Sequence, residues 1–257
     1  LRPSTVTNIV AIGVFGGITG TLFQNFAPKE ILSMAFMNTL VVGFASGLLV
    51  SQFVVAQKLT FYRDCSAGLA VWEWLAAKTL VEAAYTFAFS FAYSLCYFAV
   101  ADPFSGFTHT LINFYFAALA MGSWAYVFAA LTDDRSRVFV RVILLVLLKI
   151  NLAGMTPALK DLPPTGYVLS FFTYSRWAFE RQVLMEFDTL DPVWSTMRIG
   201  LLNARGLPLS SNHVGSFLML FAVNTLGVRA LAYTLLCRCN AHKRRPISSE
   251  WRRKHLQ

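Results

Sequence analysis

Long apolar segments alternate with short polar ones along this chain, and the alternation predicts a membrane-embedded bundle of helices. A helix that crosses the hydrocarbon core of a bilayer needs about 20 mostly apolar residues. We expect an all-α membrane protein in which residues 1–237 form one domain, followed by a tail at 238–257. The six predicted spans are about Asn8–Phe26, Met34–Ala56, Lys78–Ala101, Leu111–Leu131, Val138–Thr156 and Gly215–Cys237.

The most polar interruption lies between the second and third predicted spans. Residues 57–82 read QKLTFYRDCSAGLAVWEWLAAKTLVE, with charges and aromatic rings interleaved. Charged groups of this density are costly in the hydrocarbon core. We therefore expect residues 57–77 to form an amphipathic connecting helix outside the membrane, where another protein can push on it.

A second long connection, residues 157–214, separates the fifth and sixth predicted spans. Its sequence is not of low complexity, and Tyr167–Met185 carries aromatic residues at helical spacing. Aromatic and charged residues mixed in this way favour a helix in the plane of the membrane interface. We expect one or two such helices on the outer leaflet.

Composition agrees with a lipid environment. Hydrophobic residues make up 56% of the chain, charged residues only 14%, and the mean hydropathy is +0.54. Soluble domains carry about 25% charged residues. The net charge of +9 comes mainly from the tail, where seven Lys and Arg follow residue 237 against one acid. A basic cluster directly after an apolar helix indicates a membrane anchor rather than a nucleic-acid-binding arm.

Charge also predicts the orientation. Placing the connecting helix and the segment 132–137 in the cytosol puts Lys58, Arg63, Arg135 and Arg137 on the same side as the basic tail. This arrangement follows the positive-inside rule. It predicts a multi-pass protein with both termini in the cytosol, and we expect the plasma membrane rather than an organelle.

Catalytic chemistry has no support in the sequence. No G-x-x-x-x-G-K-[ST] pattern occurs, so this chain holds no P-loop for ATP. A serine nucleophile needs a base within reach, and no predicted span contains a histidine, so Ser46 in GFASG is interpreted as a packing residue. We expect no catalytic residue, no metal and no cofactor in this chain, and a channel is disfavoured because no ring of charges is present.

A few polar side chains do fall within the predicted spans. Lys149 could line an aqueous cavity or pair with an acid such as Glu82, and the structural pairing is favoured because one lysine makes no ion pathway. Arg229 could reach the cytosolic headgroups by snorkelling. Cys237 and Cys239, at the end of the last span, are either palmitoylated or unmodified.

Small residues recur at helical spacing in the first two spans. Gly13, Gly16, Gly17 and Gly20 give two overlapping G-x-x-x-G patterns, and Gly43 begins another. Such patterns let helix backbones approach closely. They predict packing within one bundle, with a dimer face as the alternative.

Several motifs resemble those of the G subfamily of ABC transporters, especially plant-type half-transporters. Residues 61–68, FYRDCSAG, resemble the F-x-R-E-x-x-S-G signature, with Asp64 in place of Glu. Lys78 and Glu82 match the K-x-x-x-E at the start of span three, although Ala84 stands where many members have proline. Residues 174–180 are similar to Y-x-[KR]-W-A-x-E, and residues 227–232 to G-x-x-R-x-x-A.

This resemblance implies a transporter in which two membrane domains pair, as a homodimer or a heterodimer, around a central cavity. The family's nucleotide-binding domain, which binds ATP and Mg, is absent from these residues, so we expect it on a longer form of this chain or on a separate chain. The residues implied to couple to it are Phe61, Tyr62, Arg63, Asp64, Glu73, Lys78 and Glu82. Spans two and five would line the cavity through Phe36, Asn38, Thr39, Val42, Ser46, Leu148, Asn151, Leu152 and Met155.

The predicted function is therefore the translocation domain of an ATP-driven exporter of lipidic or amphipathic small molecules. A cavity of mostly apolar residues with a few hydrogen-bonding groups suits such a solute. The alternative is a membrane scaffold or regulatory subunit that retains the transporter fold without transporting. On either interpretation the chain alone is not an enzyme.

Overall fold

The computed structural model describes residues 3–24, 27–132, 135–189, 195–207 and 213–243, and these residues contain helices and no strand. The all-α prediction is therefore confirmed for this part of the chain. A long helix precedes each short connection in the first half, and shorter helices fill the second half. The helices are α1 (Pro3–Leu22), α2 (Ile31–Ser66), α3 (Val71–Ala101), α4 (Phe107–Leu131), α5 (Arg135–Asn151), α6 (Pro164–Phe171), α7 (Tyr174–Asp188), α8 (Ser195–Arg205), α9 (His213–Leu218) and α10 (Val228–Lys243).

Four helical segments within the described residues are long and apolar enough to cross a membrane: Pro28–Ser66, Val71–Ala101, Phe107–Leu131 and Val214–Cys239. Val6–Leu22 is apolar but shorter. The fifth predicted span corresponds to α5, which has 17 residues and includes three arginines and Lys149. Several spans are thus established, while the count of six stays a prediction.

The polar stretch 57–77 does not form a helix of its own. Helix α2 runs without a break for 36 residues to Ser66, and α3 begins only five residues later, at Val71. At about 1.5 Å per residue, α2 is roughly 54 Å long, well beyond a hydrocarbon core of about 30 Å. The connecting stretch is therefore the end of α2, a tight turn and the start of α3. Helix α2 continues this far because residues 57–67 contain no helix breaker, and the turn comes at Gly68, whose φ is +111°.

Two ends of the bundle are named from these connections. The connecting end is where α2 turns into α3, at residues 66–71, and the loop end is where α3 turns into α4, at residues 101–107. Asp102, with a left-handed backbone (φ 47°), ends α3 at the loop end.

Glycines of α1 pack directly on α3. A side chain added at Gly16 would meet the backbone oxygen of Tyr93 at 2.4 Å, and one added at Gly20 would meet Val100 at 2.9 Å. Gly17, one residue from Gly16, has nothing within 4 Å. The glycine pattern of α1 thus serves helix packing inside this chain, as the first of its two interpretations predicts.

Helix α7 lies inside the bundle and not on its surface. Every residue from Tyr174 to Phe187 is buried, whereas a helix in the plane of an interface would expose one side. The ring of Tyr174 fits against Gly43 of α2, where an added Cβ would lie 1.7 Å from the Tyr174 hydroxyl oxygen. The expectation of a helix lying on the outer leaflet is therefore wrong for α7, because glycine on α2 makes room for it.

The buried charges of α7 are tied to neighbouring segments. At its loop end, Glu186 accepts hydrogen bonds from the backbone nitrogen and the hydroxyl of Ser105, at 2.9 and 2.5 Å, and from Gln182. Burial raises the pKa of the Glu186 carboxyl, and the hydrogen bonds from Ser105 oppose that rise. These bonds hold α7 to the turn between α3 and α4.

The last span is not a uniform α-helix. Met219–Gly227, between α9 and α10, is a π-helix, in which Thr225 donates its hydroxyl to the carbonyl of Leu220, five residues earlier. π-Helical turns are rare in proteins, and those that occur are often found at functional sites. This π-helical segment ends directly before the turn of α10 that carries Arg229.

The glycine packing generates a matched pair of variants. We expect Gly16→Val to destabilise the bundle by about 1–3 kcal/mol, because overpacking against a backbone atom forces α1 away from α3. Gly17→Val should change stability by less than about 0.5 kcal/mol, as open surface positions do. Thermal unfolding of the two purified variants in the same detergent measures both values. Equal loss of stability in the two variants would contradict this packing.

Candidate functional site

At the connecting end, aromatic rings lock α2 to α3. Phe61 of α2 is fully buried, and its ring packs edge-on against that of Trp74 of α3, with centroids 4.8 Å apart. Cys65 and Val54 of α2 belong to the same buried cluster, together with residues of α4 and α10. The start of α3 therefore moves with the end of α2.

Lys58 joins α4 to this end of the bundle. Its ammonium donates hydrogen bonds to the carbonyl oxygens of Ala129 and Thr132, the latter at 2.8 Å. These carbonyls belong to the last turn of α4 and its cap, where unpaired acceptors and the negative end of the helix dipole favour a cation. Lys58 is thus a C-terminal cap for α4, donated by α2.

The remaining polar side chains of the connecting end face outward. The side chain of Arg63 is 79% exposed and lies 3.7 Å from Asp64, a separation at which an exposed ion pair contributes little. Glu73 is exposed and accepts a hydrogen bond from the backbone nitrogen of Ala70, which caps the start of α3. Trp72 is 60% exposed, in contrast to Trp74. These groups form a surface that a partner can reach.

A buried ion pair lies deeper along α3. Glu82 is 2% exposed and Arg229 of α10 is 8% exposed, and the arginine Nη2 donates to the Glu82 Oε2 at 2.8 Å. The other arms of the guanidinium donate to the hydroxyls of Thr79 on α3 and Ser123 on α4, the latter at 3.1 Å. One side chain of α10 thus binds both α3 and α4.

Helix α4 provides a small-residue seat for this pair. A side chain at Gly122 would place its Cβ 2.2 Å from the Glu82 Oε1. The ring of Tyr126, one turn further along α4, lies 5.4 Å from the Arg229 guanidinium carbon. Neither Gly122 nor Ser123 was predicted as a site residue, although a Gly-Ser pair in the middle of an apolar span is a visible signal for close helix packing.

The comparison with protein families bears on this arrangement. A family model described as ABC-2 type transporter matches residues 13–243. The chain belongs to the ABC-2 type transporter family. No curated protein matches the chain. The match covers every element described above except the first turns of α1, so the connecting end and the ion pair both belong to an ABC-2 type transporter membrane domain.

In this ABC-2 type domain, Glu82 pairs with Arg229. The favoured interpretation of Lys149, a structural pairing with Glu82, is therefore wrong. Arg229 likewise points into the bundle and does not extend toward headgroups, because Glu82, Thr79 and Ser123 satisfy its donors there. Lys78 lies over the ring of Trp74, 5.7 Å from its centroid. The predicted motif residues therefore separate into an outer group at the turn and an inner group at the ion pair.

Lys149 is held by aromatic rings. It is 2% exposed, and its ammonium lies 4.4 Å from the centroid of the Trp124 ring and 4.9 Å from that of Tyr174. Its Nζ has no hydrogen-bond partner within the described part of the chain. This position, between α4, α5 and α7, is a packed interior and not an aqueous cavity.

The predicted cavity residues fall on different surfaces of the chain. Asn38, Thr39, Val42 and Ser46 of α2 are buried, and Asn38 accepts a hydrogen bond from the Tyr93 hydroxyl at 2.7 Å. The predicted cavity residues in α5 and just after it, by contrast, include exposed positions. Phe36 and Met155 are half-buried, Leu152 is buried, and Leu148 and Asn151 are exposed.

The two cysteines near the end of α10 are both half-buried. The thiol of Cys239 lies 3.4 Å from the carbonyl oxygen of Ala130, at the end of α4. Lipidation of Cys239 would require this contact to open, whereas Cys237 lies on another side of the helix. Palmitoylation of either residue stays a prediction.

The ion pair predicts strong energetic coupling between Glu82 and Arg229. We expect Glu82→Gln and Arg229→Met each to lower stability by about 3–5 kcal/mol, because each leaves a charge or polar group buried without its partner. The double variant should lose less than the sum of the two single losses. Unfolding of all four proteins in detergent measures the coupling, and additive losses would show that the pair does not act as one unit.

Lys149 predicts the opposite behaviour. Lys149→Met removes two cation–π contacts of about 0.5–2 kcal/mol each but also removes a buried charge that costs several kcal/mol. We expect the apparent Tm and the folded yield to stay equal or rise, with no change in ligand selectivity. The exposed Lys160→Met is the matched control. A clear fall in Tm for Lys149→Met alone would show that the contacts of Lys149 with the Trp124 and Tyr174 rings outweigh the cost of burying its charge.

Proposed function

We propose that this domain is the translocation domain of a G-subfamily, plant-type ATP-driven exporter of lipidic or amphipathic small molecules. It works with a nucleotide-binding domain that binds ATP and Mg and lies outside these residues. The observation that carries the proposal is the buried Glu82–Arg229 pair, joined by a single rigid helix to an exposed polar turn. An ABC-2 type membrane domain needs such a link between an external motor and its spans.

The path of force is short in this proposal. The motor domain contacts the exposed Arg63 and Glu73, together with the half-buried Tyr62 and Asp64, at the connecting end. Because Phe61 and Trp74 are packed together, a push there moves α2 and α3 as one body. Lys58 extends the motion to the end of α4, since it caps that helix. Glu82, the twelfth residue of α3, passes the motion to α10.

The cargo pathway belongs to the surface between two copies. Leu148 and Asn151 lie on the outward face of α5, which also exposes Val140, Leu144 and Leu147. From Leu144 to Asn151 this face is apolar with one amide, which suits an amphipathic solute better than an ion, while Arg137 lies on the same face at the start of α5. Two copies that face each other through α5 and α2 would enclose the pathway, and the buried α2 residues Asn38 and Ser46 would support its wall from behind.

The exposed turn predicts variants that uncouple the motor from transport. Arg63→Gln should keep ATP hydrolysis and lower transport of radiolabelled lipid roughly tenfold, the scale of a coupling energy of about 1–3 kcal/mol. Glu73→Gln should act similarly while keeping the helix cap, because glutamine serves at that capping position. Both rates are measured in proteoliposomes that contain this domain together with its nucleotide-binding domain.

Lys29→Gln, an exposed cation at the loop end, is the control and should transport normally. If Arg63→Gln transports at the wild-type rate, the coupling role of the turn is wrong. If the wild-type assembly shows no ATPase activity stimulated by any lipidic solute, the chain is a scaffold rather than an exporter.

A further inference from the structure

A band of aromatic rings crosses one outer surface of the bundle between α3 and the last span. Phe87 of α3 packs edge-on against Tyr115 of α4, with ring centroids 5.7 Å apart. Tyr115 in turn contacts Phe116, and Phe116 contacts Phe217 and Phe221 at 4.8 and 5.5 Å. None of these rings is fully buried, and Phe87 is 49% exposed.

These rings form a groove with two walls and a floor. Tyr115 and Phe116 of α4 are the floor, Phe87 is one wall, and the stacked rings of Phe217 and Phe221 are the other. Toward the connecting end the two walls are joined by the Glu82–Arg229 pair. The groove is therefore closed at that end, and its open side lies on the outer surface of the bundle.

A buried cation without an acceptor lies at the opposite end of the groove. Arg181 of α7 is 7% exposed, and its guanidinium carbon lies 4.9 Å from the centroid of the Phe217 ring. Among the residues that the structure describes, its Nε and Nη1 have no hydrogen-bond partner. The neighbouring acid does not satisfy them, because Glu180 accepts a hydrogen bond from Ser216 at 2.6 Å and forms no ion pair with Arg181 in the described part of the chain.

Arg181 lies near the loop-end turn, at a distance similar to the thickness of a headgroup region. Five residues further along α7, Glu186 bonds to Ser105 in the loop-end turn, so Arg181 lies about 7.5 Å inward of that turn. Headgroup regions extend roughly 5–7 Å on each side of the hydrocarbon core.

We propose that this groove binds one phospholipid, with its phosphate on Arg181 and one acyl chain along Phe217, Phe221 and Phe116. Arg181 Nε and Nη1 are buried beside the Phe217 ring, so that ring has to turn aside before a phosphate oxygen accepts their N–H groups. The planar guanidinium then matches two oxygens at once. The aromatic floor and walls accommodate an acyl chain without a polar partner. This site is separate from the outward face of α5 and does not depend on transport.

Native mass spectrometry of the full chain, delipidated in detergent, tests the site with dioleoylphosphatidylglycerol as the probe. We expect one molecule of dioleoylphosphatidylglycerol to bind to the chain. Dioleoylglycerol, which has the same chains and no phosphate, should bind at least about tenfold more weakly, because it lacks one charge-assisted hydrogen bond. Inorganic phosphate alone should not compete at equal concentration. Equal binding of the two lipids, or displacement by phosphate alone, would overturn the proposal.

Variants locate the site on the chain. Arg181→Gln should lose bound phospholipid about tenfold, and Arg181→Lys should restore part of it. Lys160→Gln, an exposed cation in the same half of the chain, should bind as the wild type does. Phe221→Leu, at a half-buried ring, tests the acyl part and should weaken both lipids. Unchanged binding in folded Arg181→Gln refutes the site, and if that variant does not fold, the wild-type preference between the two lipids decides.

Discussion

A carboxylate and a guanidinium buried within membrane-spanning helices cannot be satisfied by water, so they must satisfy each other. Glu82 and Arg229 do so across α3 and α10, and Ser123 and Gly122 of α4 receive them. Removing either partner leaves a group that nothing else nearby can neutralise. This requirement fixes the relative position of three helices, and the arrangement at both ends of the bundle follows from it.

Toward the connecting end, α2 holds two of these three helices, α3 and α4, by different means. Phe61 and Trp74 join α2 to α3, and Lys58 caps α4. Toward the loop end, α3 and the last span separate, α4 shows its aromatic face between them, and α7 fills the interior on the other side against Gly43. Under the proposed coupling, a disturbance at the exposed turn around Arg63 would reach the ion pair through packed rings and continuous helix.

Much of this was visible in the sequence, since apolar length and polar interruptions located the long helices and the motif residues. Residue type alone could not show which acid meets which cation. Glu82 and Arg229 are 147 residues apart, and the sequence favoured Lys149 as the partner of Glu82, whereas Lys149 lies against the rings of Trp124 and Tyr174. Burial of α7 was equally hidden, because aromatic and charged residues at helical spacing also describe an interfacial helix. Burial of α7 depends on Gly43 of α2, because the absence of a side chain there leaves room for the ring of Tyr174.

The central claim is that force from the exposed turn passes through the Glu82–Arg229 pair. Transport by the reconstituted assembly carrying Glu82→Arg, Arg229→Glu or both changes tests it most directly, with ATP hydrolysis recorded in the same vesicles. We expect each single change to abolish transport and the exchanged pair to regain a measurable part of it. Folded single variants that transport at the wild-type rate would contradict the claim.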